Sequence, residues 1–383
     1  MSVSQQPPES ANAPVGTETM EPDHQGYLPP GSDGDADVVH QNRLVLRWKL
    51  FKRSFKQNWS LFADSKIGLL GLAIIFVFAL MGIAHPILMA TVWEDAIYDP
   101  VIGYDAPQAE KTVVPDAELT DPQTEVALSS ALLDNPLVQP GDTVIISEQP
   151  ANPSSKHLLG TDPLGRDVLS QLLFGTRAAF AMGVIAAIVT VIFGTVLGSI
   201  AAYYGGWIDG AVMRTADLFL LIPLIPVLIF IGGLFKVGLF SLGLLIGVLS
   251  GLGPVAIVLK SQALSVKVKP FIDAAKVAGG SDFRIITRHI IPNVLPLSFL
   301  YMMFTVTAAI AGEATLSFFG LLEVDMSWGI MIHTAQTQGY LLRGTDFWWL
   351  LLPAGGAVTL LSAGFYLVGR GLDEVVNPRL RAR

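Results

Sequence analysis

Charged side chains are sparse in this chain, so the few that stand beside apolar runs are where any chemistry would begin. Asp162, Arg166 and Asp167 fall within HLLGTDPLGRDVLSQLLFGTR, from His157 to Arg177. Two acids and a guanidinium at this spacing invite an enzyme reading. No nucleophile and no metal-ligating set accompanies them, which leaves a structural element beside an outer gate or a plain interfacial helix. Glu313 stands at the end of another apolar run. An acid there could line an aqueous vestibule for a charged substrate, snorkel to water, or bind a helix end. A third group is basic. Lys260, Lys267, Lys269, Lys276, Arg284 and Arg288 outnumber Asp273 and Asp282 between two apolar runs. That pattern suits docking rather than catalysis. The chain has no cysteine, which excludes disulfides, iron–sulfur clusters and thiol catalysis. It also lacks the G-x-x-x-x-G-K-S/T phosphate loop, HExxH and GxSxG. Energy for any transport must therefore come from elsewhere.

The elements that would position these residues follow from composition. Of 383 residues, 51% are hydrophobic and 15% charged, and long uncharged runs mark an integral membrane protein. The net charge of −8 is carried outside those runs, and no nucleic-acid-reading motif is present. Residues 1–42 hold no Lys or Arg and no apolar period, and read as a disordered cytoplasmic tail. Residues 43–66 alternate basic and apolar side chains, as a helix at a negatively charged membrane surface does. Residues 67–90 are the first span. Residues 91–156 are an extracytoplasmic loop or small lid with one β-like run, Thr143–Ser147. Residues 157–383 hold spans two to six, placed at 178–203, 217–235, 240–259, 293–311 and 347–368.

Several local expectations follow. Asp162 caps an amphipathic outer-face helix with Pro163 at its first position. Pro223 and Pro226 bend the third span. Gly194 and Gly198 form a GxxxG contact, and Gly243, Gly247 and Gly251 form a small-residue face. Trp328, Trp348 and Trp349 suit an outer interfacial belt. Basic residues precede the first span and Glu94, Asp95, Asp99, Asp105 and Glu110 follow it. By the positive-inside rule both termini, and the basic loop at 265–292, are cytoplasmic.

That loop carries the most pattern. After Pro270, Phe271, Ala274, Ala275 and Ala278 share one helical face. Gly279-Gly280 ends this helix, and Ser281 or Asp282 caps a second. There Phe283, Ile286 and Ile290 form a stripe opposite Arg284 and Arg288, and Pro292 ends the unit. The expectation is two short helices joined by a glycine elbow, a knob for a soluble partner.

Asp273-Ala274-Ala275, Gly279 and Ile291-Pro292 resemble the EAA loop of ABC-importer permeases. The family pattern has Glu at 273, Ile at 289 and Leu at 291, where this chain has Asp273, His289 and Ile291. The run AGGSDFRIITRHIIPN is similar to the oligopeptide/dipeptide (and nickel) branch, as are the His157–Arg177 stretch, GEATLSFFGL and SWGIMI. The resemblance covers about Arg43 to Arg383 apart from the long outer loop.

It implies an all-α integral membrane protein, with six transmembrane helices of the type I importer permease fold, in a bacterial inner membrane. It implies a permease subunit forming half of the pathway. The other members would be a second, homologous permease, two ATP-binding subunits and an extracytoplasmic substrate-binding protein. ATP and Mg would be bound by the partner ATPase, with no cofactor in this chain. Asp273, Ala274, Ala275, Gly279, Ile291 and Pro292 would form the ATPase-coupling site. Peptides and nickel complexes both stand as cargo. A stand-alone channel or secondary transporter is the alternative, and it predicts ion-coupling acids within the spans. A membrane enzyme would need clustered reactive groups at one face.

Overall fold

Inside a bilayer every backbone polar group needs an internal partner, so a long apolar run must become a helix. The computed structural model describes residues 52, 56, 59–113, 139, 141–147 and 149–376. Residues from 57 onward form one unit, separate from the amino-terminal residues up to 56. The acidic tail at 1–42, most of the basic stretch at 43–66, the segment 114–138 and the closing arginines Arg379, Arg381 and Arg383 lie outside the described residues.

Helix α1 (Lys66–Thr91) covers the first predicted span. Its first turn is capped by Ser65, whose hydroxyl oxygen accepts the Gly68 amide at 3.3 Å. A single turn, α2 (Asp95–Tyr98), follows. Strand β1 (Gln108–Thr112) pairs antiparallel with β2 (Thr143–Ser147), Gln108 opposite Ser147. The β-like run is thus a strand. Its partner QAEKT has no β-branched or aromatic run to announce it.

Helix α3 (Val168–Tyr204) is the centre of the bundle and packs against α1 and most of the later helices. Its 37 residues reach about 55 Å, well beyond a hydrocarbon core of about 30 Å. The separate interfacial helix expected from Asp162 is absent. Residues 161–167 instead form a turn closed by a bridge between Thr161 and Asp167. Gly165 has φ +78°, which a helix does not accept, and the cap is Asp167, five residues later than expected.

The third span is a broken pair. Helix α4 (Gly206–Leu221) and α5 (Leu224–Leu234) meet at 81°. Pro223 cannot donate to the preceding turn and pushes Ile222 into extended backbone, ψ 118°. Residues 206–216, which the sequence reading left between the second and third spans, are helix as well. Pro226 lies in the first turn of α5, where its missing N–H costs nothing. The fourth span is also a pair, α6 (Leu239–Leu252) and α7 (Pro254–Lys267), bent by 43° at Gly253-Pro254. A two-residue strand β3 (Val237–Gly238) runs parallel to β4 (Leu322–Glu323).

Beyond α7 come α8 (Pro270–Val277) and one continuous rod. The rod is α9 (Asp282–Ile285), a π-turn (Ile286–Ile290) and α10 (Ile291–Phe318). Helices α11 (Trp328–Thr337) and α12 (Trp348–Val376) complete the chain. Among the described residues four helices, α1, α3, the α9–α10 rod and α12, are long and apolar enough to cross a membrane. Counted as one span each, the two bent pairs bring the number to six. The structure is an all-α integral membrane bundle.

Glycines set the closest crossings. Gly194 and Gly198 of α3 lie against Val255, Leu259 and Lys260 of α7. Gly243, Gly247 and Gly251 of α6 lie against Ile185, Val189 and Phe193 of α3. The small-residue patterns are packing faces, now with named partners. The tryptophan belt reduces to Trp348. Trp328 and Trp349 are buried, donating their indole N–H groups to the carbonyls of Leu172 (2.9 Å) and Thr161 (3.1 Å). A buried indole needs such an acceptor.

Candidate functional site

At one end of the bundle the glycine elbow is built as its sequence predicts. The Gly280 amide donates to the Ala275 carbonyl at 3.0 Å and the Gly279 amide to Lys276 at 2.9 Å. This pair of bonds is the Schellman ending of a helix, and Gly279 takes the positive φ it requires, +76°.

The faces of the two limbs differ from expectation. In α8 the buried anchor is Ile272, with Ala275 half-buried; Phe271, Ala274 and Ala278 are exposed. In the second limb Ile285, Ile286 and Ile290 are buried, whereas Phe283 is 76% exposed. The π-turn changes the phase: the Ile291 amide donates five residues back, to Ile286. The wider turn also accommodates Pro292, which would otherwise press on the carbonyl four residues earlier. Pro292 thus opens α10 instead of ending the unit.

Ile272, Ile285 and Ile290 pack with Ala202, Leu259, Ala263 and Val266 into one core. The elbow is therefore welded to α3 and α7. Lys267 donates to the Ala202 carbonyl at 3.0 Å, and the Tyr203 hydroxyl donates to Asp282 at 2.6 Å. Neither Ser281 nor Asp282 caps α9 through its side chain, because Asp282 serves Tyr203. The outer surface presents Asp273, paired with Lys276 at 3.4 Å, with Ala274, Gly279 and Pro292 exposed and Ile291 half-buried. Val268 and Val277, the latter 91% exposed, stand beside them, as does Phe283. A shallow dent runs along Phe271, Ala275, Ala278, Arg284 and His289. The sequence reading missed Val277, a large apolar residue that falls off the buried stripe, and put Phe283 on a stripe from which the structure turns it outward.

The opposite end gathers the other ionisable residues. Asp162 accepts the Leu164 and Arg166 amides at 2.9 Å, Arg166 Nε at 2.8 Å and Gln171 Nε2 at 3.0 Å. Its contact to Arg166 Nη2 is 2.6 Å, and both side chains are buried. A carboxylate so fully occupied holds a turn together. Asp167 caps α3 by accepting the Ser170 amide at 2.6 Å. Its other oxygen lies 2.8 Å from His157 Nδ1, and His157 Nε2 lies 2.8 Å from Asp105. The hydrogen bond to Asp167 raises the His157 pKa above its ordinary range; burial opposes this, and the bond to Asp105 adds to it. Sequence reasoning passed over His157 and Asp105, which are 52 residues apart.

Glu313 is 1% exposed and accepts the Ser317 hydroxyl at 2.7 Å. It does not snorkel to water; its carboxylate also meets the hydroxyl of Ser327, the residue that caps α11. The structure gives no contact between Glu313 and the Asp162–Arg166 pair among the described residues. Nor does any group of three or more His, Asp or Glu among them suit a metal ion.

Apolar spans, a hydrogen-bonded turn around Asp162 at one end and an exposed elbow at the other fit a membrane transport subunit. Residues 194–382 match the family of binding-protein-dependent transport system inner membrane components, and the chain belongs to that family. It is 34% identical over 238 residues to the dipeptide transport system permease protein DppC of Bacillus subtilis, covering 62% of this chain and 73% of that one. It is 34% identical over 227 residues to the oligopeptide transport system permease protein OppC of Haemophilus influenzae, covering 59% and 71%. A protein of Brucella suis named as a peptide transport system permease is 36% identical over 232 residues, covering 60% and 76%.

Proposed function

We propose that this chain is one of two different permeases in an ATP-driven peptide importer of a bacterial inner membrane. Its elbow faces the cytoplasm and docks on one of two ATP-binding subunits, which hold ATP and Mg. Both termini are cytoplasmic, and residues 91–156 face outward, toward an extracytoplasmic binding protein that delivers the peptide. The relatives named for peptide, dipeptide and oligopeptide transport support the cargo class.

The observation that carries the reading is the pairing of a buried core with an unpartnered apolar surface on the same small module. Ile272, Ile285 and Ile290 make the elbow move as a solid body with α7 and the α9–α10 rod. Val277 and Phe283 give it a surface that gains by leaving water. Asp273, Ala274, Ala275, Gly279, Ile291 and Pro292 belong to that module. When ATP closes the ATPase pair, the elbows approach and the spans switch from inward- to outward-facing. A second homologous permease completes the pathway.

The test is purification from its native membrane in mild detergent, followed by reconstitution. An ATPase should co-purify, and vesicles should take up labelled peptide only with ATP and binding protein. Uptake without any ATPase overturns the reading. Uptake of a nickel complex in place of peptide overturns the cargo class alone.

A further inference from the structure

We propose that His157 is a positioning residue for import: its imidazolium clasps residues 95–112 to the head of α3, and the clasp loosens when the proton leaves. The inference rests on the outward orientation proposed above, which puts this head at the mouth where cargo arrives.

The geometry specifies the protonation state. Both ring nitrogens lie 2.8 Å from carboxylate oxygens, Nδ1 from Asp167 and Nε2 from Asp105. An ionised carboxylate only accepts, so both nitrogens must donate, and only imidazolium donates from both. The two acids belong to different elements. Asp167 is the cap of α3 and is buried, while Asp105 lies on the loop leading into β1 and is partly exposed.

The other ionisable groups here are Lys156, 2.5 Å from Asp105, Tyr98, whose ring leans on the imidazole, and His85 of α1, whose Nε2 lies 3.4 Å from Ser170 Oγ. Glu94 and the self-contained Asp162–Arg166 pair are nearby. Lys156 balances Asp105, which leaves Asp167 with His157 as its cation. Neutral imidazole would turn a lone pair toward one carboxylate. Asp167 is held by the Ser170 amide, so the Asp105 contact yields. Neutral bonds remain, from the Asp105 amide to Gly165 O and from Ser170 Oγ to Tyr98 O. The cover therefore loosens without leaving.

The sign is fixed by the raised His157 pKa. The clasp is complete below the ordinary imidazole value of about 6.5 and is lost as pH rises through the higher folded value. The test is hydrogen exchange of the whole complex in detergent at about pH 6 and about pH 9, corrected for intrinsic rates. Exchange over residues 95–112 should rise on the order of tenfold, the worth of one charge-assisted hydrogen bond, while residues 282–290 stay unchanged. His157→Gln, a neutral donor, should abolish the step, as should Asp105→Asn at the more exposed partner. Peptide uptake should fall over the same pH range in the wild type and run flat in both variants, with ATPase co-purification unchanged. Flat exchange in the wild type overturns the clasp, as does a step that survives in either variant. Uptake that ignores pH while exchange steps overturns the role in import. Wild-type complex that imports nothing at any pH fails the importer reading instead, and exchange still decides the clasp.

Discussion

The Tyr203 hydroxyl donates to Asp282 across 2.6 Å, joining the last turn of α3 to the first residue of α9 beyond the elbow. Ala202 accepts from Lys267 at the end of α7, so the end of α3 is tied to the chain on both sides of the elbow. Asp282 is exposed, and the bond should add no more than about 1.5 kcal/mol to stability. Tyr203→Phe should therefore fold and bind the ATPase as the wild type does. Its effect should appear as more ATP hydrolysed per peptide imported, measured in reconstituted vesicles. A ratio equal to that of the wild type would remove Tyr203 from the coupling path.

Gly279→Val tests the elbow itself. No atom lies within 4 Å of the position a Cβ would occupy, so crowding inside the chain is not the issue. The cost is the left-handed backbone, about 1–2 kcal/mol for a residue with a Cβ, and a bulky group on the docking surface. The spans should insert normally, while ATPase association weakens or hydrolysis uncouples from uptake. Asp273→Ala should be milder, because its pairing with Lys276 is exposed and worth about 0–1 kcal/mol. Uptake and hydrolysis at equal complex abundance separate the two variants; wild-type rates for Gly279→Val would refute the coupling role.

Helices α1 and α12 cross where Gly71 meets Gly364. A Cβ on Gly71 would stand 2.6 Å from the Gly364 carbonyl oxygen and 2.8 Å from the Val368 nitrogen. Both obstacles are backbone and cannot turn aside. Gly71→Leu should push the first and last spans apart at a cost of about 1–3 kcal/mol. Gly82→Ala on the same helix is the control, since its nearest neighbour is Thr176 Cγ2 at 3.5 Å. Thermal unfolding in detergent should show a clear fall for the first and almost none for the second.

The orientation has a direct measurement, because the chain contains no cysteine. Ile102→Cys and Val277→Cys place single thiols at two exposed sites on opposite ends of the bundle. An impermeant reagent should label the first from outside and the second only from the cytoplasmic side. Labelling of both from one side contradicts the six-span arrangement.

Legibility in the sequence follows the range of the interactions. The spans were readable because twenty consecutive apolar residues are a local property, and the bilayer permits one solution for them. The Gly279 elbow was equally readable, since a helix ending with positive φ is settled within six residues. The phase of the second limb was not, because the π-turn that rotates Phe283 outward and Ile285 inward arises where the loop joins a transmembrane rod. Asp162 was misread as a cap because its own turn, with Gly165 at φ +78°, competes for the same carboxylate.

What the sequence determined by itself is a membrane chain with a two-limbed basic elbow. The tertiary structure decided which side chains meet: Trp349 with Thr161 across 188 positions, Trp328 with Leu172 across 156, and Asp105 with His157 across 52. Each depends on how long helices pack. Burial drives a span into the membrane whatever its neighbours are, but a buried indole or imidazole must take the partner that packing places within about 3 Å of it.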